Sequence, residues 1–150
     1  MFLKTRENDI IVNAKYVDAV WFDSTNKCVM IESFARSYIF MRCRDSAAPS
    51  IIINIVRKIN SSLMKDQGLK ALNEKFLFNK ENTKAVKIKS IESIIPQANS
   101  NSGVNIRLRN GKEIDFDDTP NEFQRMSSRI PILYPFAFSS SANSEDYENK

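Results

Sequence analysis

The chain has 150 residues, a formal net charge of +4 and no histidine, which suits one domain of average size or two very small ones. The absence of histidine excludes Ser-His-Asp and Cys-His catalysis and histidine-ligated metals. The 3 glycines stand apart from one another, so the chain has no glycine-rich phosphate loop. The sequence therefore predicts a protein that is not an enzyme, with no catalytic residues, no metal and no cofactor.

The strongest pattern is an internal repeat, in which blocks of the first half match blocks of the second half in the same order. The matched blocks are Phe2–Val20 with Phe76–Ile94, Val29–Met41 with Val104–Phe116, and Pro49–Ile59 with Pro120–Ile130. The first pair aligns without gaps and includes the identical pair Lys15/Lys89. An ordered match of several blocks indicates duplication of one β-rich unit, and the alternative is a chance alignment of two β-rich segments.

The predicted fold is α+β and consists of two tandem β-rich repeats of about four strands and one helix each. The first repeat covers residues 1–64, a connector 65–75, and the second repeat 76–130. Because a unit of this size buries little surface alone, the repeats are expected to pack together, edge to edge or face to face.

In the first half, a helix is predicted to start at Pro49, because Ile52, Ile55, Val56 and Ile59 recur on one side of a 3.6-residue period. The aromatic residues of this half are predicted to lie in the core, and the alternative is that they form a binding platform. They are Tyr16, Trp21, Phe22, Phe34 and Tyr38. In the predicted strand register Cys28 and Cys43 point to opposite faces, so we expect free thiols.

The second half begins with a basic stretch that includes Lys80, Lys84, Lys87 and Lys89. Lysines can keep an edge strand soluble and prevent pairing with other chains. The alternative is that these four lysines contact nucleic acid or another anion, since basic residues interleaved with aromatics can bind single strands by charge and stacking.

The stretch Val104–Phe116 alternates with period two around an Asn-Gly pair, which predicts a hairpin. A two-residue turn would oppose apolar residues to acids. A three-residue loop of Arg109, Asn110 and Gly111 instead pairs Ile106 with Ile114 on one buried face, with Gly111 in a left-handed position. The first half has Arg36 where Gly111 stands, so its turn must differ or carry strain.

Three acidic residues, Asp115, Asp117 and Asp118, follow this hairpin and could be taken for a metal site. Thr119 and Glu122 have the spacing of a capping box, and Pro120 suits the first position of a second helix. Acids just before a helix start are also favoured by the helix dipole. We therefore interpret the cluster as turn and cap chemistry.

The C-terminus is predicted to consist of an apolar arm, residues 131–138, and a disordered acidic tail, residues 139–150. Two prolines exclude a regular helix in the arm. The arm either covers the core or docks on a partner, and in the second case it would contact the partner through Ile132, Leu133, Tyr134, Phe136 and Phe138.

The stretch Val86–Phe123 has the pattern I-x-S-I … V-x-I-x-L-x-N-G. In this pattern it resembles small bacterial and phage β-rich proteins, including small flagellar proteins of the FlbD type. The shared motif is a hairpin pattern, and no function follows from it.

The leading functional hypothesis is a regulatory protein that acts through protein–protein contacts or as a homo-oligomer. The alternative is a basic protein that binds nucleic acid, single-stranded or without sequence preference. A carboxylate- or cysteine-dependent enzyme is a third hypothesis. Charges near the start predict no signal peptide, and no apolar run is long enough for a membrane span, so we expect a cytoplasmic protein without a membrane partner.

Overall fold

The computed structural model describes residues 1–67, 76–97 and 103–126, together with Ser128, Ile130 and Pro135. The first half contains β1 (Phe2–Lys4), β2 (Ile11–Asn13), β3 (Val17–Asp23), β4 (Cys28–Ser33), β5 (Arg36–Arg42) and α1 (Ala48–Gln67). The second half contains β6 (Phe76–Phe78), β7 (Lys84–Lys87), β8 (Ile91–Pro96), β9 (Val104–Leu108), β10 (Glu113–Phe116) and α2 (Pro120–Met126).

The strands form antiparallel sheets, and the largest contains strands from both halves. Its order is β5-β4-β3-β7-β6, so β7 of the second half pairs with β3 of the first. Strands β8, β9 and β10 form a separate sheet, and β1 pairs with β2 alone. The two halves are therefore joined edge to edge through shared backbone hydrogen bonds.

One face of the five-stranded sheet is covered by α1 and by the β1–β2 pair. Helix α1 buries Ile52, Ile55, Val56 and Ile59 against this face, as their helical spacing predicts. Leu3 of β1 and Val12 of β2 join the same cluster. Full burial of each such side chain stabilises the fold by about 1.5–3 kcal/mol.

The other face carries the three-stranded sheet and α2. Ala19, Leu77 and Val86 of the large sheet pack there against residues of β9, β10 and α2. The partners are Val104, Ile106, Leu108, Ile114, Phe116 and Phe123. Successive side chains of β3 and β7 point alternately into the cluster beneath α1 and into the cluster beneath β9 and β10. The halves therefore pack face to face as well as edge to edge.

The α+β, sheet-rich fold confirms the predicted class, and the order of elements is the same in both halves. Among the described residues each half has five strands instead of the predicted four, because strands of three residues are too short to show alternation. Helix α1 also continues past the predicted boundary at residue 64. The duplication itself stays a prediction, since β6 and β7 belong to a shared sheet.

Three predicted segments cannot be compared with the fold in full. Most of the connector 65–75, nearly all of the arm 131–138 and the whole tail 139–150 lie outside the described residues. Within the described part of the chain, no helix has the length and apolar character needed to cross a membrane.

Candidate functional site

A cleft of about 340 Å³ opens where the two halves meet, and we call it the basic cleft. It lies beside two short 3₁₀ turns, Ala14–Tyr16 before β3 and Ile88–Ser90 before β8. The turns that follow β4 and β9 form its remaining wall. The lining residues are Lys15, Tyr16, Asp18, Phe34, Lys87, Lys89, Ser90, Leu108, Arg109 and Asn110.

Corresponding positions of the two halves face each other across this cleft. Lys15 and Lys89, the identical pair of the sequence alignment, occupy the same position in their 3₁₀ turns. The Asn13 side chain accepts a hydrogen bond from Lys15 N at 3.0 Å and so caps the first turn. Arg109 N donates to Ser90 O at 2.9 Å, and this hydrogen bond holds the β9–β10 loop against the second 3₁₀ turn.

The lining carries four cationic side chains and a single acidic one, Asp18. Ser90 Oγ donates to Asp18 Oδ1 at 2.7 Å, and Phe34 N and Asn110 Nδ2 donate to Oδ2 at 3.3 Å. Asp18 thus links the two halves through neutral donors. Lys87 is 6% exposed and its Nζ donates to Lys15 O at 3.0 Å. The basic cleft keeps a positive balance that attracts anions.

Two exposed aromatic rings stand at the basic cleft, where the sequence predicted core residues. Tyr16 is 45% exposed and Phe34 is 68% exposed. Their ring centroids lie 5.2 Å apart at an interplanar angle of 40°, and Lys15 Nζ lies 5.9 Å from the Tyr16 centroid. The core prediction is wrong for these two residues, because alternation along a strand does not extend into the turns that carry them.

The turn that presents Phe34 is strained. Ser33 pairs with Arg36, so Phe34 and Ala35 form a two-residue turn, with φ of 52° and 65°. Left-handed backbone costs a residue with a Cβ on the order of 1 kcal/mol, and glycine or asparagine is preferred there. The turn therefore both differs from that of the second half and carries strain, as Arg36 in place of Gly111 predicts.

A second cleft of about 420 Å³ lies beside the opposite end of β3 and has the opposite charge. Its lining includes Asp23, Asp45, Glu81 and Asp117 with one cation, Lys84. Hydrogen bonds from Asn26 hold the pKa of Asp23 below its usual value. The linings of the two clefts therefore have opposite charge balance, with Asp45 of the second cleft also paired with Lys27.

The four lysines selected from the sequence fall into two pairs. Lys87 and Lys89 line the basic cleft. Lys80 forms an ion pair with Glu122, and Lys84 Nζ donates to the Asp115 carbonyl at the other end of β7. Because Lys80 and Lys84 lie at one end of β7 and Lys87 and Lys89 at the other, the structure separates these lysines along the strand instead of bringing all four to one face. Their contact with nucleic acid stays a prediction.

The acidic stretch after β10 has the predicted turn and cap chemistry. Ile106 pairs with Ile114, and Gly111 has φ of 92°. Thr119 N donates to Glu122 Oε1 at 3.2 Å and Glu122 N donates to Thr119 Oγ1 at 3.1 Å, which confirms the capping box. In the described part of the chain, no group of three Cys, Asp or Glu residues could hold a metal ion.

Asp118 differs from its neighbours, because its carboxylate is only 4% exposed. Oδ1 accepts from Lys80 N at 2.9 Å, whereas Oδ2 is buried without a hydrogen-bond partner. Burial raises the pKa of Asp118 above its ordinary value of 3.8, and the nearby Glu122, Asp117 and Glu81 raise the pKa further. Ionised Asp118 is thus unfavourable in the folded protein.

Asp118→Asn is expected to flatten part of the pH dependence of stability. Since the folded pKa lies above the unfolded one, the stabilising contribution is complete below pH 3.8 and is lost as pH rises through the folded value. Asparagine does not ionise, so the variant should gain stability relative to the wild type as pH rises above 3.8. Urea unfolding of both proteins at pH values above 3.8 measures the difference in their free energies of unfolding. If these free energies change in parallel with pH, the prediction is wrong.

Both cysteines are free thiols, as predicted. Burial raises the pKa of Cys28, with a further contribution from Asp23, and it also raises the pKa of Cys43. A nucleophilic cysteine requires the opposite shift. Five predicted arm contacts lie outside the described residues, namely Ile132, Leu133, Tyr134, Phe136 and Phe138.

Sequence reasoning did not select Lys15, Tyr16, Phe34 or Arg109 as site residues. Two signals pointed to them. Lys15 is identical to Lys89 in the repeat alignment, and the absence of glycine near Arg36 indicated an unusual turn beside Phe34. Neither signal shows that the two turns approach each other, which depends on the packing of the halves.

No protein-family model matches the chain, and no curated protein matches it. Among solved structures, the chain is similar to a LytTr DNA-binding domain from Bacillus cereus, with a TM-score of 0.50 and 15% sequence identity. The match covers 85% of this chain and 95% of the other. At this identity the likeness shows a shared fold, a mixed and sheet-rich architecture.

Proposed function

We propose that this protein binds nucleic acid through the basic cleft, as a binding protein and not as an enzyme. The observation that carries the proposal is the meeting of Lys15, Lys89 and Arg109, from both halves, around a cleft with exposed aromatic rings. Phosphate groups are attracted by such a cluster, and binding is driven by release of counterions from the nucleic acid.

The opposite charge of the two clefts supports binding of nucleic acid in one orientation. The acidic cleft at the other end of β3 repels the phosphate backbone, while the basic cleft attracts it. A net charge of +4 is mild, so the distribution of charge matters more than its sum. Nucleic acid is therefore expected to approach with its backbone toward the turns that carry Lys15 and Arg109.

The fold likeness favours this proposal over contacts with another protein. The similar solved structure is a DNA-binding domain, although 15% identity carries no binding residue over to this chain. The protein–protein hypothesis requires an apolar patch on the arm or on an exposed sheet edge, and nearly all of the arm lies outside the described residues. It stays a prediction, as does a cytoplasmic location.

Binding of the full-length chain to a fluorescently labelled oligonucleotide of mixed sequence tests the proposal. Fluorescence anisotropy at about 50 mM salt should show saturable binding. The affinity should fall with salt with a logarithmic slope of about −2 to −3, because roughly three cations contact phosphates. Absence of binding at that salt concentration, to both single strands and duplexes, would contradict the proposal.

A further inference from the structure

We infer that the basic cleft takes an unpaired, single-stranded segment, with a base against the Tyr16–Phe34 pair and phosphates against Lys15 and Arg109. This inference rests on the proposed function and specifies the form of nucleic acid that the site binds. It is carried by the exposure of the two rings, the strained turn below Phe34 and the concave shape of the site.

The two rings are available for contact with a ligand. Phe34 is 68% exposed and Tyr16 is 45% exposed, so neither ring is used chiefly to fill the core. Their planes meet at 40°, so the rings do not cover each other face to face. Every base has a flat aromatic face, so such rings bind unpaired bases without sequence preference.

The turn beneath Phe34 places the ring at a cost in backbone conformation. Phe34 and Ala35 both have positive φ, at 52° and 65°. Asparagine and glycine adopt this two-residue turn with less strain. Phenylalanine there neither relaxes the backbone nor fills the core. Strained backbone with an exposed aromatic is typical of a functional position.

The cationic groups flank the rings in a way that suits a strand of linked nucleotides. Lys15 Nζ lies over the Tyr16 ring, 5.9 Å from its centroid, so a base against the neighbouring Phe34 ring has an ammonium group close by. Arg109 lies across the cleft on the β9–β10 loop. Asp18, the acidic residue of the lining, already accepts hydrogen bonds from three donors.

The shape of the site favours a single strand over a duplex. The cations and rings line a concavity of about 340 Å³, which is within the range of pockets that hold one small ligand. Proteins read a duplex by inserting a helix, ribbon or arm into its grooves. A concave site of this size instead receives a base that has left the helical stack.

The test compares three probes of about 16 units with the full-length chain, by fluorescence anisotropy at about 50 mM salt. The probes are oligothymidylate, an abasic strand with the same number of phosphates, and a duplex. Oligothymidylate should bind at least about 10-fold more tightly than the abasic strand, because only the former has bases to stack. It should also bind more tightly than the duplex.

Variants assign the preference to the ring. Phe34→Leu should weaken oligothymidylate binding by about 10-fold and leave the salt slope and the abasic affinity unchanged, whereas Phe34→Tyr should retain binding. Phe34→Asn combined with Ala35→Gly should relax the turn, raise thermal stability and still lose the preference. Phe2→Leu is the matched control, since Phe2 is an exposed phenylalanine of β1 that does not line the basic cleft.

Different failures have different meanings. If a duplex binds as tightly as oligothymidylate, or Phe34→Leu binds as the wild type does, the single-strand inference is wrong while nucleic-acid binding stands. If oligothymidylate, the abasic strand and the duplex all fail to bind, the proposed function is wrong and the inference fails with it.

Discussion

Charge reversal at both Lys15 and Arg109 is expected to reduce oligonucleotide affinity by about 100-fold at low salt, and to reduce the salt slope by about 2. The two residues come from different halves and meet only at the basic cleft. Glutamate at both positions removes two phosphate contacts and adds repulsion. Anisotropy titrations of the Lys15→Glu/Arg109→Glu protein at several salt concentrations measure both quantities.

The matched control changes the charge equally at another site. Arg57→Glu combined with Lys58→Glu alters two exposed cations of α1, away from the basic cleft. If binding depends on net charge alone, the two double variants will weaken it equally, and the basic cleft will lose its role. Circular dichroism of both proteins checks that the fold is retained.

Replacement of Glu32 by alanine is expected to destabilise the fold by about 3 kcal/mol. This carboxylate is 0% exposed. It accepts hydrogen bonds from Trp21 Nε1 at 2.7 Å and from Ser37 Oγ at 2.7 Å, and Lys112 Nζ lies 3.8 Å away. Alanine would leave the half-buried Trp21 indole and Lys112 ammonium without their partner, whereas the exposed Ser37 hydroxyl can bond to water. Urea unfolding followed by circular dichroism measures the loss.

Two further variants separate the causes of that loss. Glu32→Gln keeps an acceptor for the Trp21 indole and should cost less than alanine, while Glu113→Ala removes an exposed carboxylate from β10 and should change stability little. Equal losses for glutamine and alanine would show that the charge beside Lys112 matters, and not the hydrogen bonds. A loss within about 0.5 kcal/mol for alanine would show that the network contributes nothing measurable.

The hairpin of β9 and β10 is a part of the fold that local sequence patterns predict correctly. Its register could be derived because one face must be buried, and a shift by one residue would turn Ile106 and Ile114 to solvent. The three-residue loop with Gly111 in a left-handed conformation follows from that register. The Thr119–Glu122 capping box is a local pattern of the same kind.

The basic cleft could not be derived in this way. Lys15 and Lys89 stand out in the repeat alignment, but their approach depends on β7 pairing with β3, a contact between residues far apart in the chain. The alternation in β7 is equally compatible with an edge strand whose lysines prevent pairing with other chains. The sequence predicts Tyr16 and Phe34 in the core, because the identity of an aromatic residue does not show whether it is exposed.

By itself the sequence determined the α+β class, the common order of elements in the two halves, the buried face of α1, the register of β9 with β10, and the free thiols. Each depends on periodicity or on neighbours close in the chain. The tertiary structure alone decided which strand edges join, which cations meet at the basic cleft, and that Lys84 faces the acidic end instead. The physical reason is that long-range pairing depends on the shape and packing of whole layers, and several such pairings satisfy the same local pattern.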